Sequence, residues 1–353
     1  MVDLSSNDYL GFARDPEFEE EVRQFLDEQG SIRTGSTGSR LLTGNSPLHL
    51  NVEESLARLY EAETALLFNS GYDANLGLLG SVPQRGDLVL YDSLVHASIR
   101  DGLQLSKARS IRFDHLSLED LDRKFRNNHS SDGGQCYVVT ESVFSMDGDS
   151  PNLLALAEWC EQNNCLLIVD EAHAVGVFGE QGRGLIPNLD LCHKVFARVV
   201  TFGKALGCHG AAVLAGDDLR EYLVNFARSL IYTTSLPAHT LAAILVGHRR
   251  LLTSPRIALL KERRLEFVEL IEKYGLSGKL LPSNSAIHAC VVPGNSEARS
   301  LSHELAEAGF DVRPVLAPTV SEGSERLRFC IHAYNTTDEF ETVMQLLTKY
   351  LLE

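Results

Sequence analysis

The chain has 353 residues, 44% of them apolar, and a formal net charge of −16. That length supports a sizeable core, in one large domain with a smaller one beside it. The acidic balance, without clustered Lys and Arg, argues against nucleic-acid binding, and no apolar run approaches membrane-spanning length. The seven cysteines (Cys136, Cys160, Cys165, Cys192, Cys208, Cys290, Cys330) are scattered with no Cys-x-x-Cys pair, so buried reduced thiols are expected and no metal site is. Met1–Asn7 lacks the basic-then-apolar pattern of a secretory signal. A cytoplasmic protein is the expectation.

Asp15-Pro16 opens a helix with Phe18, Val22, Phe25 and Leu26 on one face, ending at Gly30. The polar stretch 35–40, Gly-Ser-Thr-Gly-Ser-Arg, reads as a linker or as a loop delivered to a site. Ser46-Pro47 supplies an N-cap and first helical residue for a helix reaching about Tyr60. Strands and helices then alternate. The strands are Thr64–Phe68, Asp87–Tyr91, Ser110–Phe113, Cys136–Thr140 and Cys165–Val169. The helices follow Tyr72 or cover Ala97–Ser106, Ser117–Arg126 and Asn152–Gln162. The last two strands are unbroken apolar runs, as in a parallel sheet covered on both faces. The pattern predicts a three-layer α/β domain with a mainly parallel sheet. Beyond Pro237 a helical stretch runs over about Ala238–Tyr274, interrupted near Ser254-Pro255. A smaller α/β segment closes the chain, with strands near Ile287–Val292 and Arg326–Ile331 and helices Glu297–Ala308 and Thr337–Leu352. The expected divisions are an N-terminal segment 1–45, a large domain 46–237 and a small domain 238–353.

Several residues with reactive chemistry fall beyond strand ends. Lys204 stands in a glycine-flanked turn between the apolar runs Ala197–Thr201 and Ala211–Ala215. Desolvation there would favour the neutral amine, which forms Schiff bases with carbonyls. A lone Gly-Lys is more often an ordinary surface turn, so the weight comes from its company. Asp170 ends the run Cys165–Val169, where ligands meet open α/β sheets. An ionised carboxylate at that position calls for a cationic partner, and a pyridinium nitrogen would serve. His173 lies three residues on; singly it reads equally well as a core histidine. Asn69-Ser70-Gly71-Tyr72 leads from a strand into a helix N-terminus, the arrangement that receives phosphate. His96 follows another strand, where its imidazole could lie on a flat ring, and Glu141 and Ser145 follow Cys136–Thr140. Phosphate-loop, dinucleotide-fingerprint, His-Glu-x-x-His and nucleophile-elbow patterns are all missing.

Taken in order, Ser6-Asn7-Asp8-Tyr9-Leu10-Gly11, Ser70-Gly71-Tyr72, His96-Ala97-Ser98, Glu141 to Gly148, Val169-Asp170-Glu171-Ala172-His173, Thr201-Phe202-Gly203-Lys204 and Tyr232-Thr233-Thr234-Ser235-Leu236-Pro237 resemble the α-oxoamine synthases. These are fold-type I pyridoxal-phosphate enzymes, and the resemblance covers nearly the whole chain. It implies that Lys204 bonds to pyridoxal 5'-phosphate and acts as general base. Asp170 would face the pyridine nitrogen, His173 the phenolic oxygen and His96 the ring face. Ser70, Gly71, Tyr72 and Thr201 would hold the phosphate, with Thr233 or Thr234 arriving from a partner subunit of a homodimer with shared active sites. Arg328 would clamp the amino-acid carboxylate, with Glu141 and Ser145 lining the site. The segments around Ser229–Tyr232, Arg313–Val320 and Arg326–Arg328 lean towards the biotin-biosynthesis branch, which joins L-alanine to pimeloyl-CoA (or pimeloyl carrier protein) with loss of carbon dioxide. The alternatives are a sister synthase using glycine or serine with another acyl-CoA, and a homologue that has lost its chemistry. The retained Lys204, Asp170, His173 and His96 argue against the last. The chain departs from the family at Ala174, at Ala238 and in starting close to Asn7, where relatives carry a preceding helix.

Overall fold

The computed structural model describes residues 1–30, 34–130 and 133–352. Chain contacts define two compact units. The larger comprises Phe12–Val143 and Ser150–Thr253; the smaller comprises Met1–Gly11, Phe144–Asp149 and the chain from Ser254 onward. These limits differ from divisions at 45 and 237, because Ala238–Thr253 packs as a helix on the helices Pro16–Glu28 and Pro47–Leu59.

The strands in chain order are β1 (Val2–Asp3), β2 (Thr64–Phe68), β3 (Leu88–Asp92), β4 (Arg109–Phe113), β5 (Cys136–Glu141) and β6 (Cys165–Asp170). They continue with β7 (Ala197–Thr201), β8 (Ala211–Ala215), β9 (Ile287–Val291), β10 (Phe310–Asp311), β11 (Arg313–Val315) and β12 (Arg326–Cys330). The larger unit holds a seven-stranded sheet in the order β2-β8-β7-β6-β5-β3-β4. All neighbours are parallel except β8, which runs against both β2 and β7.

Alternation along the strands sorts the core. Leu88 and Leu90, Cys136 and Val138, and Cys165, Leu167 and Val169 share a cluster with Leu121, Phe125, Leu153, Leu156 and Trp159 of helices Leu118–Asn128 and Leu153–Gln162. Residues of opposite parity face the other way, where helix Gly71–Ser81 packs on β7 and β8 and against helix Ala97–Leu105. Both faces are covered, so the mainly parallel three-layer architecture read from the apolar runs holds.

The strands extend one residue past the sequence-based limits at three places: Asp92, Glu141 and Asp170 are terminal strand residues. Carboxylates are poor strand formers in isolation, and here the ladder carries them. Asp15 caps the first helix, accepting from the Glu17 amide at 3.0 Å. Ser46 has the extended cap backbone, yet its hydroxyl meets His49 Nδ1 at 2.9 Å and makes no cap bond. The stretch 35–40 behaves as a clasp. Arg40 sends two guanidinium nitrogens to Glu53, at 2.8 and 3.1 Å, while Ser36 and Gly38 bond to Ser235.

In the smaller unit an antiparallel sheet, β11-β12-β9, is accompanied by the β1–β10 pair. Its core gathers Phe267, Phe310, Phe329, Phe340 and Met344 around Leu327. Composition gave no sign of the short strands β1, β10 and β11. Helix Asp217–Phe226 was also missed, although Asp217 and Asp218 in its first turn and buried Leu219 and Leu223 mark it.

Candidate active site

Register fixes a single rim. Glu141 pairs with Asp170, and Asp170 with Val199. Ala211, the first residue of β8, lies between Thr201 on one side and Phe68 on the other. The carboxyl ends of β2, β5, β6 and β7 therefore lie along one edge, and the turns leaving them carry the reactive groups.

The nine residues between β7 and β8 form a tight loop. Phe202 and Gly210 close its neck by a backbone bond of 3.0 Å, and Cys208 donates to the Phe202 carbonyl at 2.8 Å. At its start Lys204 is half-buried, with Nζ 2.9 Å from Nε2 of buried His173. Asp170, two residues before the start of the short turn that carries His173, has both oxygens engaged. Oδ1 accepts from the Ala172 amide at 2.8 Å and Oδ2 from Asn75 Nδ2 at 2.7 Å.

His96 stands at the N-cap of helix Ala97–Leu105, and its Nδ1 accepts from the Ser98 amide at 3.2 Å. Its backbone amide donates to Glu141 Oε1 at 2.5 Å. Burial pulls the His96 pKa below the ordinary value. Asp170 opposes that shift, while Lys204 and Arg100 reinforce it, so the ring is neutral at pH 7. Glu141 goes the other way: burial, then the Asp170 charge, push it up to about 8. A carboxyl raised that far carries its proton at neutral pH.

A second cluster lies where β2 and β7 end. Ser70 caps helix Gly71–Ser81, its hydroxyl accepting from the Asp73 amide at 3.1 Å and donating to Asp73 Oδ2 at 2.8 Å. The Gly71 and Tyr72 amides, in the first turn, have no intrahelical acceptor. Thr201 Oγ1 is buried, and among the described residues it has no hydrogen-bond partner. A Cβ on Gly71 would come within 2.5 Å of Thr201 Cγ2, so glycine is what lets the turn approach the threonine. Two amides at a positive helix end, beside an orphaned hydroxyl, suit a phosphate dianion. Tyr72 directs its own hydroxyl to Asp101 at 2.5 Å, leaving its backbone as the contribution to this cluster. Thr233 Oγ1 accepts from Asn69 Nδ2 of the same chain at 2.9 Å, and the same nitrogen bonds to the Thr234 carbonyl at 2.9 Å.

Arg328 and Ser145 belong to the smaller unit. Arg328 Nε donates to the Ser145 carbonyl at 2.6 Å, and its terminal nitrogens reach Cys330 Sγ at 2.9 Å and Asn7 Oδ1 at 3.1 Å. The guanidinium is thus held by three neighbours. Asn75 escaped the sequence reading, in which Asn69 and Ser98 figure only as members of motifs, with no role of their own. The available signal was Asn75, an amide on the face of helix Gly71–Ser81 that also carries Ala74, Leu78 and Leu79.

An amine beside an imidazole, an aspartate with both oxygens hydrogen-bonded and a helix N-terminus, all on one sheet edge, form an arrangement suited to the Schiff-base chemistry of the fold-type I class. Residues 1–347 match the family Aminotransferase class I and II, and the chain belongs to it. Over 369 aligned residues it is 38% identical to the 8-amino-7-oxononanoate synthase of Emericella nidulans, covering 99% of this chain and 89% of that one. Serine palmitoyltransferase of Sphingomonas wittichii superimposes with a TM-score of 0.91 at 31% identity, over 99% of this chain and 86% of that one. The 8-amino-7-oxononanoate synthase of Francisella tularensis does so with a TM-score of 0.83 at 30% identity, over 100% and 98%. A further serine palmitoyltransferase structure, TM-score 0.91 and 30% identical over 99% and 87%, is described as holding PLP. The enzyme class and the cofactor expected from the sequence, a pyridoxal-phosphate-dependent acyltransferase, agree with these relatives.

Proposed function

We propose that this chain catalyses the decarboxylative condensation of L-alanine with a pimeloyl thioester, giving 8-amino-7-oxononanoate in biotin biosynthesis. The observation that carries the chemistry is the 2.9 Å pair of Lys204 Nζ and His173 Nε2 on the rim shared with Asp170. The aldehyde and phenolic oxygen of pyridoxal phosphate sit on adjacent ring carbons, so a neighbouring amine and imidazole fit them. The orphaned Thr201 hydroxyl beside the Gly71 and Tyr72 amides fits the phosphate. When bound, that cofactor supplies an electron sink for a carbanion at the amino-acid α-carbon.

The protein's share is placement and proton handling. Lys204 Nζ would hold the cofactor, and its amine would take the α-proton as general base. Asp170, fixed at both oxygens, would face the ring nitrogen. His173 would face the phenolic oxygen, and His96 the ring face. Glu141, which holds its proton, would line the pocket as a neutral group. Arg328 binds the amino-acid carboxylate in a bidentate pair, with Ser145 beside it. In net terms the amino-acid α-carbon would bond to the thioester carbonyl carbon as the thiol leaves, and the amino-acid carboxylate would depart as carbon dioxide.

A homodimer with shared sites belongs to this reading. Tyr232 is 72% exposed and Leu42 80% exposed, apolar surface of the kind a second copy would cover, and Thr233 and Thr234 directly follow Tyr232. The cytoplasmic setting is favoured by seven cysteines scattered without a Cys-x-x-Cys pair.

Thiol release from pimeloyl-CoA, measured with and without L-alanine, tests the proposal; glycine and serine with longer acyl-CoAs serve as competitors. Faster turnover with serine and a palmitoyl thioester would replace it by the sister-synthase reading, which the 0.91 TM-scores of the serine palmitoyltransferases favour. A methylene or two of discrimination is worth only about 1–3 kcal/mol, so substrate choice rests on few contacts.

A further inference from the structure

We propose that Asn75 is a positioning residue that aims the Asp170 carboxylate and, through Ser98, the His96 ring at the cofactor. The proposal rests on the reading of Asp170 as the partner of the ring nitrogen. Asn75 is 2% exposed, on the second turn of helix Gly71–Ser81. Its Nδ2 donates one hydrogen to Asp170 Oδ2 at 2.7 Å and the other to Ser98 Oγ at 3.0 Å. Ser98 Oγ in turn lies 2.8 Å from His96 Nδ1. The amide orientation is forced: flipped, its oxygen would face a carboxylate.

The direction of each bond follows from that. Ser98 accepts from Asn75, so its own hydrogen goes to His96 Nδ1, which also accepts from the Ser98 amide. His96 therefore carries its proton on Nε2 and cannot reorient without breaking the two bonds at Nδ1. At the other end, Ala172 holds Oδ1 and Asn75 holds Oδ2, so the carboxylate cannot rotate about its last bond. Strand parity explains the pairing. Asp170 shares its face of β6 with Ile168, opposite to Leu167 and Val169, and helix Gly71–Ser81 packs against the sheet there. A neutral donor suits this position because the charged groups around Asp170 are already numerous: Glu141, Glu171, Lys204 and His96 all lie within electrostatic reach. A cationic donor there would compete with the ring nitrogen for the carboxylate.

The test titrates wild type, Asn75→Ala, Asn75→Asp and Asp170→Ala, each stripped of cofactor, with pyridoxal 5'-phosphate. Dissociation constants and the pH midpoint of the visible absorption band are followed across pH 6–9, chosen as a working range of about three units around neutrality. Losing one hydrogen bond to a charged group predicts at least about tenfold weaker binding for Asn75→Ala, with a shifted midpoint. Asn75→Asp keeps the shape. When protonated it donates to Asp170, and when ionised it repels it, so its affinity falls progressively as pH rises. A loss equal at every pH in Asn75→Asp would reduce Asn75 to a packing role and overturn the proposal. So would wild-type affinity and midpoint in both Asn75 variants while Asp170→Ala loses the cofactor. Wild-type affinity in Asp170→Ala would overturn the reading of Asp170 instead. Should Asn75→Ala fail to fold, the isosteric Asn75→Asp decides alone.

Discussion

Replacing Thr201 by valine separates a phosphate-binding hydroxyl from a structural one, because the two roles predict opposite signs. Thr201 sits at the end of β7, buried, and its Oγ1 has no partner among the described residues. A buried hydroxyl left unbonded costs about 1–3 kcal/mol, and its isosteric replacement by a methyl recovers part of that. Valine is β-branched and suits a strand, so the backbone has no reason to move. The cofactor-free variant should therefore be more stable than wild type, by about 1 kcal/mol in equilibrium urea unfolding. With cofactor present the sign reverses. A hydroxyl bonded to a phosphate dianion contributes about 1.5–3 kcal/mol, so the dissociation constant for pyridoxal 5'-phosphate should rise about 10- to 150-fold. The assay is urea unfolding with and without saturating cofactor, alongside direct titration. A variant less stable without cofactor, or one binding the cofactor within twofold of wild type, refutes the argument.

The same corner offers a steric test. Gly71→Ala puts a methyl 2.5 Å from Thr201 Cγ2 and should cost about 1–3 kcal/mol; adding Thr201→Ser removes that Cγ2 and should restore stability, as a double-mutant cycle reads directly. The Arg40–Glu53 pair is 10% and 5% exposed, so Arg40→Met strands a buried carboxylate and should cost about 3 kcal/mol. That is the low end for buried pairs, because Arg220 stands 3.8 Å away, whereas Glu54→Gln in the exposed Arg58 pair should change unfolding by less than about 0.5 kcal/mol. Burial pushes His248 down to about 4. Below its unfolded value of 6.5 the unfolded chain binds a proton that the folded one refuses, so stability is lost as pH falls from about 6.5 to 4, at up to about 1.4 kcal/mol per unit. His248→Gln should flatten that acid slope by one proton, and an unchanged slope would remove His248 as its source.

How far the sequence reaches depends on the range of the forces involved. The strands β5 to β8 announce themselves because each is covered on both faces and is therefore mostly apolar. Helix Thr337–Leu352 has the limits its periodicity predicts. Strands β1 and β10, two residues each, bury too little to leave a pattern and exist only because Val2 and Phe310 meet across the sequence. That β8 runs antiparallel is likewise invisible, since a buried strand reads the same in either direction. It matters here, because the reversal turns the stretch after Thr201 into a closed loop that holds Lys204 at the rim, where a helical crossover would have carried the chain away.

The reactive residues were legible one at a time, as polar groups placed after apolar runs, but what makes them a site was not. Spacing gives Asp170 and His173 as neighbours; only register brings Glu141 beside Asp170, and only the fold brings Asn75 to its carboxylate. The consequence is electrostatic. Two carboxyls side by side at one strand edge cannot both ionise cheaply, and the one with fewer donors gives way. Asp170 has two, the Ala172 amide and Asn75, whereas Glu141 has the His96 amide and deeper burial. Glu141 therefore holds its proton at neutral pH, which keeps its negative charge away from Asp170. Removing Asn75 would strip Asp170 of one of those two donors, which is why an uncharged amide on a neighbouring helix bears on how that carboxyl group is held.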